Sequence, residues 1–285
     1  METPTVASHG TFVTSIIRQL APEFFVSVAK ARPLEKQILS PASTEPGLVV
    51  PDDVTDELHV DEALVRLMLR HSTVTATTDE GDVELAFSDD GGIQPSPFGA
   101  DNELVALSFA ANDSIAVLNL SLGTYACPLE GDGSQIPTTD ALLTFWAGVF
   151  DSPIIAAGGN ELINAFFYPG ALENVKAVGA TDNQGDQIVW EDDDSQPPKT
   201  VAHSGDSRTW INAKALGCDL VGVSGAEQEL VAWSGSSFAT AVVSALTATG
   251  PAPTKDTNDL EVFDGDTVQI LVEGFTGLPN SCMIP

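Results

Sequence analysis

Apolar side chains recur at helical spacing in two segments of the chain. In HGTFVTSIIRQLA (9–21) and LHVDEALVRLML (58–69) they return every three to four residues, which places them on one face of a helix. TTDALLTFWAGVF (138–150) has Thr and Asp near its start, as helix N-termini prefer, and predicts a third helix. The apolar face of the first helix consists of Phe12, Val13, Ile16, Ile17 and Leu20.

Continuous apolar runs predict the strands of a buried sheet. SIAVLNLSLG (114–123), SPIIAAGGNE (152–161) and VKAVGAT (175–181) are typical of parallel strands covered on both faces. PEFFVSVAKA (22–31) predicts a further strand after a proline break. Because strands and helices alternate, we expect an α/β fold with a doubly wound, mostly parallel sheet flanked by helices. Ligands of such sheets bind beyond the carboxyl ends of the strands.

Two segments depart from this pattern. Residues 72–103 are polar, acidic and rich in glycine and proline, which predicts a long surface excursion with a short strand at Val83–Phe87. Residues 250–285 are proline-rich and then strand-like. The sequence therefore predicts one domain over 1–249, with an acidic insertion at about 72–103, and a C-terminal extension over 250–285.

The charge balance narrows the range of partners. Of 285 residues, 11 are Lys or Arg and 41 are Asp or Glu, which gives a net charge of −30. Nucleic acids and anionic membrane surfaces bind clustered cations, so we expect neither as a partner. No apolar run reaches the roughly 18 residues of a membrane span. A strongly negative surface stays well hydrated, which is typical of a salty or extracellular setting.

The first ten residues, METPTVASHG, lack the basic and apolar regions of a signal peptide. Two interpretations follow. Either the protein is intracellular, or this chain is not the complete gene product and a signal peptide upstream of Met1 directs its secretion.

Cysteines and acidic residues give little indication of a bound metal. Cys127, Cys218 and Cys282 are far apart and show no zinc-site spacing, so one disulfide with a free thiol and three free thiols are both compatible with the sequence. The run Glu191–Asp194 offers oxygen ligands for calcium. It lacks the ligand spacing of a known calcium loop, and a solvated acidic loop is the preferred interpretation. We therefore expect no cofactor.

The stretch WSGSSFATA (233–241) places serines directly before a small, apolar, helix-like run. One of them either caps the helix or serves as a nucleophile. An α/β-hydrolase requires its histidine after the serine, whereas all four histidines precede Ser237: His9, His59, His71 and His203. A chymotrypsin-like reading of Gly205-Asp206-Ser207 lacks the glycines of an oxyanion turn, because Arg208-Thr209 follows. The remaining order of a triad is Asp, His, Ser.

Five motifs follow one another in the order found in subtilisin-like serine peptidases (subtilases). HGTFV (9–13) is similar to the histidine motif of that family, with Phe12 in place of a second histidine, as in actinobacterial members. The chain resembles the family further in NLSLG (119–123), AAGGN (156–160), FYPGALENVKAVGATD (167–182) and GSSFA (235–239). The resemblance covers residues 9 to about 247 and implies the subtilisin-like three-layer α/β sandwich.

The resemblance also implies a role for individual residues. Ser237 would be the nucleophile, His9 the general base and Asn160 a hydrogen-bond donor to the oxyanion. A polypeptide substrate would lie in a groove and add to the protein as an extra strand. The residues that would line this groove are Ser121, Leu122, Gly123, Ala157 and Gly158. We expect a monomer.

The pattern departs from the family at the catalytic aspartate. Subtilases carry it on a strand upstream of the histidine, in a D-[ST]-G motif, but METPTVAS before His9 has only Glu2 as an acid. SDDGG (88–92) resembles the motif and lies downstream. We therefore expect a sheet that lacks the aspartate strand and a chain truncated before it. Ala241 is a second departure, because the family usually has proline there.

Three hypotheses follow from these motifs. The first is a serine endopeptidase whose recorded start is too far downstream. The second is a subtilase-like module that binds peptides without cleaving them. The third is a fragment that does not fold. Because the serine, the histidine and the asparagine are all present, we prefer the first.

Overall fold

The computed structural model describes twelve stretches of the chain and assigns them to two compact units. The first unit comprises Met1–Val26, Ala116–Asp140 and Ser152–Pro285, and the second comprises Ser27–Ile115 and Ala141–Asp151. The described residues are 9–29, 57–79, 81–85, 104–125, 137–160, 165–182, 185–189, 199–201, 210–224, 229–250, 253–255 and 260–263.

Four helices and fifteen strands lie within these residues. The helices are α1 (His9–Leu20), α2 (Glu57–His71), α3 (Pro137–Phe150) and α4 (Ser236–Thr249). The strands are β1 (Ser72–Thr78), β2 (Gly81–Leu85), β3 (Leu104–Ala111), β4 (Leu118–Leu120), β5 (Thr124–Tyr125), β6 (Ile154–Ala157), β7 (Phe167–Tyr168), β8 (Val175–Thr181), β9 (Gln187–Val189), β10 (Lys199–Val201), β11 (Ile211–Leu216), β12 (Leu220–Ser224), β13 (Glu229–Trp233), β14 (Thr254–Lys255) and β15 (Glu261–Phe263).

The first unit is built on a mostly parallel sheet. Strands β4, β6, β8, β11 and β15 pair in that order, each parallel to the next. Three further strands, β9, β10 and β14, join this sheet through antiparallel pairs. Because β4 and β6 are neighbours and parallel, their carboxyl ends, at Leu120 and Ala157, lie at the same edge of the sheet.

Helix α4 packs along the sheet and against α1. Its sequence, SSFATAVVSALTAT, has small side chains on all sides, and every residue from Phe238 to Leu246 is buried. Small side chains allow a helix to approach a sheet and another helix closely at the same time. The antiparallel hairpin of β12 and β13 follows β11, and β12 contacts α1.

The second unit contains α2, residues 141–150 of α3 and a three-stranded antiparallel sheet in the order β2-β1-β3. One buried cluster of this unit consists of Val74, Ala76 and Leu85, with Leu69 and Phe109 packed against it. The Phe109 and Phe145 rings meet edge to face, with centroids 5.1 Å apart.

The structure confirms most of the predicted elements. The three helices are present as α1, α2 and α3, and VKAVGAT is strand β8. The run at 114–123 is longer than its strand, since β4 covers only Leu118–Leu120. The expected α/β class with a mostly parallel sheet is correct. Whether the sheet lacks the aspartate strand stays a prediction, as do the domain boundaries.

One prediction of local structure was wrong, and a second was incomplete. The predicted strand at 22–31 is irregular over its described residues, 22–29, and Phe25 is 86% exposed. Its apolar residues therefore do not form part of a sheet. The expected surface excursion at 72–103 begins with two strands, β1 and β2, of which the second overlaps the predicted Val83–Phe87. Alternate residues of β1 are buried, although the segment is mostly threonine and alanine.

The tail contributes to the central sheet. Strand β15 pairs with β11 over Ala213–Ala215, in parallel, and Phe263 is 5% exposed. The strand-like stretch 266–274 lies outside the described residues. Among the helices that the structure describes, none has the length and apolar character to cross a bilayer.

Candidate active site

Helix α4 begins at Ser236, and neither serine caps it. The N-cap residue is Gly235, and no side chain within the helix start provides a capping hydrogen bond. Gly235 has φ 156° and ψ 163°, a conformation that is almost restricted to glycine. Its N–H donates to the Gly217 carbonyl at 2.7 Å, which fixes the turn between β13 and the helix. The interpretation of Ser236 or Ser237 as a helix cap is therefore wrong.

Asn160 provides the cap from a distant part of the chain. Its side-chain Oδ1 accepts a hydrogen bond from the Ser236 N–H at 2.8 Å. The carbonyl oxygen of the amide is directed at the helix, and no described residue accepts a hydrogen bond from the Nδ2 group. The position of Asn160 depends on Gly159, which has φ 94° and whose added Cβ would lie 2.7 Å from the Tyr125 hydroxyl.

Ser237 lies in the first turn of α4 and is half-buried. Its Oγ donates to the Ser121 carbonyl at 3.2 Å. The first-turn amides around it are engaged, since Ser236 donates to Asn160 and Phe238 and Ala239 donate to the Gly235 carbonyl. No described residue accepts a hydrogen bond from the Ser237 N–H. This amide and the Nδ2 group of Asn160 are therefore two donors at one helix N-terminus, where the helix dipole also favours negative charge.

Ser121 connects the end of β4 to the same helix. Its Oγ lies 2.8 Å from the Ser237 carbonyl and 2.9 Å from Asn119 Oδ1, so one hydroxyl proton is shared between two acceptors. The Nδ2 group of Asn119 in turn donates to Ser244 Oγ at 2.8 Å, two turns further along α4. These bonds fix the edge of the predicted groove relative to the nucleophile.

The remaining predicted groove residues surround this point. Leu122 is half-buried and Gly123 is exposed, whereas Ala157 and Gly158 are buried at the end of β6. A Cβ at Gly123 would lie 2.2 Å from the Phe167 ring, so only glycine fits there. The N–H of Gly158 donates to the Val178 carbonyl, and its carbonyl accepts from Trp210 Nε1 at 3.2 Å. Gly158 therefore shapes the site without a free backbone group.

His9 is the first residue of α1, and its imidazole is half-buried. It lies beside the residue that follows the nucleophile, since its ring centroid is 5.3 Å from that of Phe238. A second aromatic neighbour is Trp233, at 5.8 Å. Burial lowers the pKa of His9 below its usual value of 6.5, because desolvation penalises the charged imidazolium. A neutral imidazole near pH 7 is the form that accepts a proton.

No carboxylate among the described residues forms a hydrogen bond with His9. Several acids named from the sequence, namely Glu2, SDDGG (88–92), Asp206 and Glu191–Asp194, lie outside the described residues, as does His203. His59 and His71 lie on α2, in the second unit, and His71 Nδ1 is 2.9 Å from Asp113 Oδ2. Within the described part of the chain, no group of three or more His, Cys, Asp or Glu could hold a metal ion.

Sequence reasoning missed three contributors to the site: Asn119, Trp233 and the ring of Phe238. All three stand inside quoted motifs, yet a motif does not show that a side chain contacts a residue more than 100 positions away.

Cys218 is disulfide-bonded, which confirms one of the two interpretations of the cysteines and excludes three free thiols. The other two cysteines lie outside the described residues.

Comparison with known proteins identifies the family of the chain. The sequence model of the subtilase family matches residues 88–251, which is more than half of the chain. The chain belongs to the subtilase family. The matched range contains Ser121, Asn160 and Ser237, whereas His9 lies before it. No curated protein is significantly similar in sequence.

Solved structures of similar fold include proteases. A lanthipeptide protease superposes with a TM-score of 0.50 at 14% identity, over 87% of this chain and 61% of that chain. The prenylagaramide maturation protease PagA gives a TM-score of 0.40 at 19% identity, over 68% of this chain and 49% of that chain. Sphericase gives 0.34 at 22% identity, over 46% and 41% of the two chains. This subtilase thus spans about two fifths to three fifths of these proteins, and at such identities the likeness concerns the fold.

Proposed function

We propose that this subtilase is a serine endopeptidase that hydrolyses peptide bonds through an acyl-enzyme on Ser237. One observation carries the proposal. The hydrogen bond from the Ser236 N–H to Asn160 Oδ1 leaves the Asn160 Nδ2 donor and the Ser237 N–H at the same helix N-terminus. Two such donors beside a serine hydroxyl are what a tetrahedral oxyanion requires. Family membership and protease neighbours support the same chemistry at the level of the family.

In this mechanism, Ser237 Oγ attacks the substrate carbonyl and His9 takes its proton. The carbonyl oxygen becomes an oxyanion between Asn160 Nδ2 and the Ser237 amide. The His9 imidazolium then gives its proton to the leaving amine, and the acyl group stays on Ser237. Water, deprotonated by His9, hydrolyses the ester and restores the free serine. Since burial lowers the pKa of His9, the imidazole is neutral and ready as a base at neutral pH.

Without substrate, the hydroxyl of Ser237 is directed at the Ser121 carbonyl and not at His9. It donates to the Ser121 carbonyl, so it must turn away from that acceptor before it can give its proton to His9. Ser121, Leu122 and Gly123 are the proposed edge to which the substrate backbone adds as a strand. A substrate N–H that bonds to the Ser121 carbonyl would compete for this acceptor and release the serine hydroxyl.

A second candidate is a peptide-binding subtilase that has lost turnover. It is favoured by one observation, namely that no described carboxylate orients His9. In subtilisin, loss of the aspartate alone lowers kcat by about 3 × 10⁴. The predicted truncation offers another explanation for the lack of this carboxylate, namely that the strand carrying the aspartate lies upstream of Met1. Reading the gene upstream of Met1 tests it, since a stop codon in frame would exclude an upstream D-[ST]-G. The actinobacterial affinity indicated by Phe12 also stays a prediction.

The experiment that separates these functions is labelling with a fluorophosphonate probe, which reacts only with an activated serine. We compare the parent chain, Ser237→Ala and the control Ser224→Ala, whose serine is buried and lies on β12. Labelling of the parent and the control, but not of Ser237→Ala, supports the peptidase. A folded parent that binds a peptide without labelling supports the binding module. Absence of a cooperative thermal transition would mean that the chain is a fragment.

The proposal includes the partners expected from the composition and from the resemblance to subtilases. We propose that the chain is a monomer that binds a polypeptide substrate and binds neither nucleic acid nor a membrane. It requires no cofactor, and the alternative is a requirement for calcium. Sedimentation at low and high salt tests the monomer. Activity before and after EDTA tests calcium, since a required ion would make the loss reversible on adding calcium back. The gene sequence upstream of Met1 also tests localisation, since a signal peptide encoded there would indicate secretion.

A further inference from the structure

Two aromatic rings contact the imidazole of His9. The Trp233 ring meets it edge to face, with centroids 5.8 Å apart and an interplanar angle of 84°. The Phe238 ring lies at 5.3 Å and is tilted by 41°. Each ring therefore restricts rotation of the imidazole in a different direction.

The enclosing rings also contact one another. Phe12 lies 4.7 Å from Phe238 and 5.6 Å from Trp233, and Trp233 lies 5.1 Å from Phe238. We call Phe12, Trp233 and Phe238 the aromatic cage. It takes one ring from each of α1, β13 and α4, and the ring from α4 belongs to the residue after Ser237. The cage thus ties the position of the base to that of the nucleophile.

The cage is held rigidly by its surroundings. Phe12 is fully buried and Phe238 is 2% exposed. A Cβ at Gly222 would lie 3.0 Å from the Phe12 ring, so a glycine on β12 leaves space for this ring. Trp233 is held opposite Leu220 by the β12-β13 pairing. Packed rings of this kind have few alternative rotamers.

The described elements around His9 carry few charged groups. Helix α4 and strand β12 contain no ionisable residue, and α1 contains, besides His9, only Arg18, in its last turn. Strand β13 has Glu229 at the end opposite Trp233. Asp219 precedes β12, and its N–H donates to Ser234 Oγ. Burial is the one resolved cause of the lowered pKa of His9, and the rings of Trp233 and Phe238 contribute to that burial.

We propose that Trp233 and Phe238 are positioning residues that hold the His9 imidazole in the orientation in which it accepts the Ser237 proton. This inference rests on the proposed peptidase function and deepens it. In a triad, a carboxylate fixes the orientation of the imidazole. Here the edge-to-face contact with Trp233 restricts the same rotation.

The kinetic test compares Trp233→Leu, Trp233→Phe and Phe263→Leu. Phe263 is a matched control, since it is a buried aromatic residue of the same core but lies on β15 and does not contact His9. We expect Trp233→Leu to lower kcat by about 10- to 100-fold, with KM changed less than about twofold, because misorientation affects the transition state. Trp233→Phe should restore most of kcat. If Trp233→Leu lowers kcat no more than Phe263→Leu does, the inference is wrong.

A second readout does not depend on turnover. The His9 ring is titrated by NMR in the parent and in the three variants. We expect the pKa of His9 to move up toward 6.5 in Trp233→Leu, since water reaches the imidazole, and to stay unchanged in Phe263→Leu. If the parent is inactive but the pKa of His9 still rises in Trp233→Leu, the peptidase function is contradicted, whereas the role of the aromatic cage in holding His9 is supported. An unchanged titration in Trp233→Leu contradicts the cage, whatever the activity.

Discussion

Ser237 stands between two parts of the site that are built by different forces. On the oxyanion side, directional hydrogen bonds fix Asn160 to the Ser236 amide and Ser121 to the Ser237 carbonyl. On the base side, His9 is held among rings and has no hydrogen-bonded carboxylate among the described residues. The hydrogen bonds define both position and direction, whereas ring packing defines position and restricts rotation less sharply. The base side is therefore where we expect the chain to depart most from other subtilases.

Ser237→Ala removes the nucleophile and tests whether a carboxylate acts on His9. In subtilisin, removal of the serine costs about 2 × 10⁶ in kcat and removal of the aspartate alone about 3 × 10⁴. If His9 works without a carboxylate, the loss caused by removal of the aspartate is already present in the parent. Removal of the serine should then lower kcat only by the ratio of the two losses, about 70-fold. We expect a loss of this smaller size for the chain as given, measured with a peptide substrate. A loss near 10⁶ would show that a carboxylate does act on His9.

Asn160→Asp removes the donor on the oxyanion side and keeps the oxygen that caps α4. We expect kcat to fall by about 10²–10³, as for the corresponding asparagine of subtilisin, with little change in the melting temperature. Asn160→Ala should show a similar fall in kcat and, in addition, lose about 1 kcal/mol of stability with the cap. Full activity of Asn160→Asp would remove Asn160 from the mechanism.

The pH dependence probes the base side. His9 has a lowered pKa in the folded chain, so kcat/KM should fall only when the pH drops through a value below 6.5. The same shift affects stability. Below 6.5, the unfolded chain binds a proton that the folded chain refuses, so this residue lowers the free energy of unfolding progressively as the pH falls toward its folded pKa. Above 6.5 it has no effect. An acid limb above 6.5 would contradict the burial of the base.

The smallest expected effect is that of Ser121→Ala. The variant loses the bond from Ser121 Oγ to the Ser237 carbonyl but keeps the Ser121 carbonyl that accepts from the nucleophile. We expect a loss of about 1 kcal/mol in the free energy of unfolding and a change of kcat of less than about tenfold. Chemical denaturation and steady-state kinetics measure the two quantities. A loss of kcat as large as that of Asn160→Asp would show that Ser121 contributes directly to the chemistry.

Much of the fold could be predicted from the sequence because it depends on local periodicity. Three helices and strand β8 follow from apolar spacing over 7 to 15 residues, which the sequence displays directly. The strand predicted at 22–31 was wrong, because an apolar run does not show whether a neighbouring strand is available to pair with it. Strand β1 was missed for the opposite reason, since STVTATT has little apolar character and gains its burial from β2 and β3.

The sequence by itself determined the family and the candidate members of the site, because the order of short motifs is a linear property of the chain. Only the tertiary structure decided how these residues act together. Asn160, and not a neighbouring serine, caps α4 from 76 residues away, and Ser121 bonds to the Ser237 carbonyl across 116 residues. The rings around His9 come from three elements. Such contacts depend on which elements the core brings together, and no local pattern in a sequence specifies that.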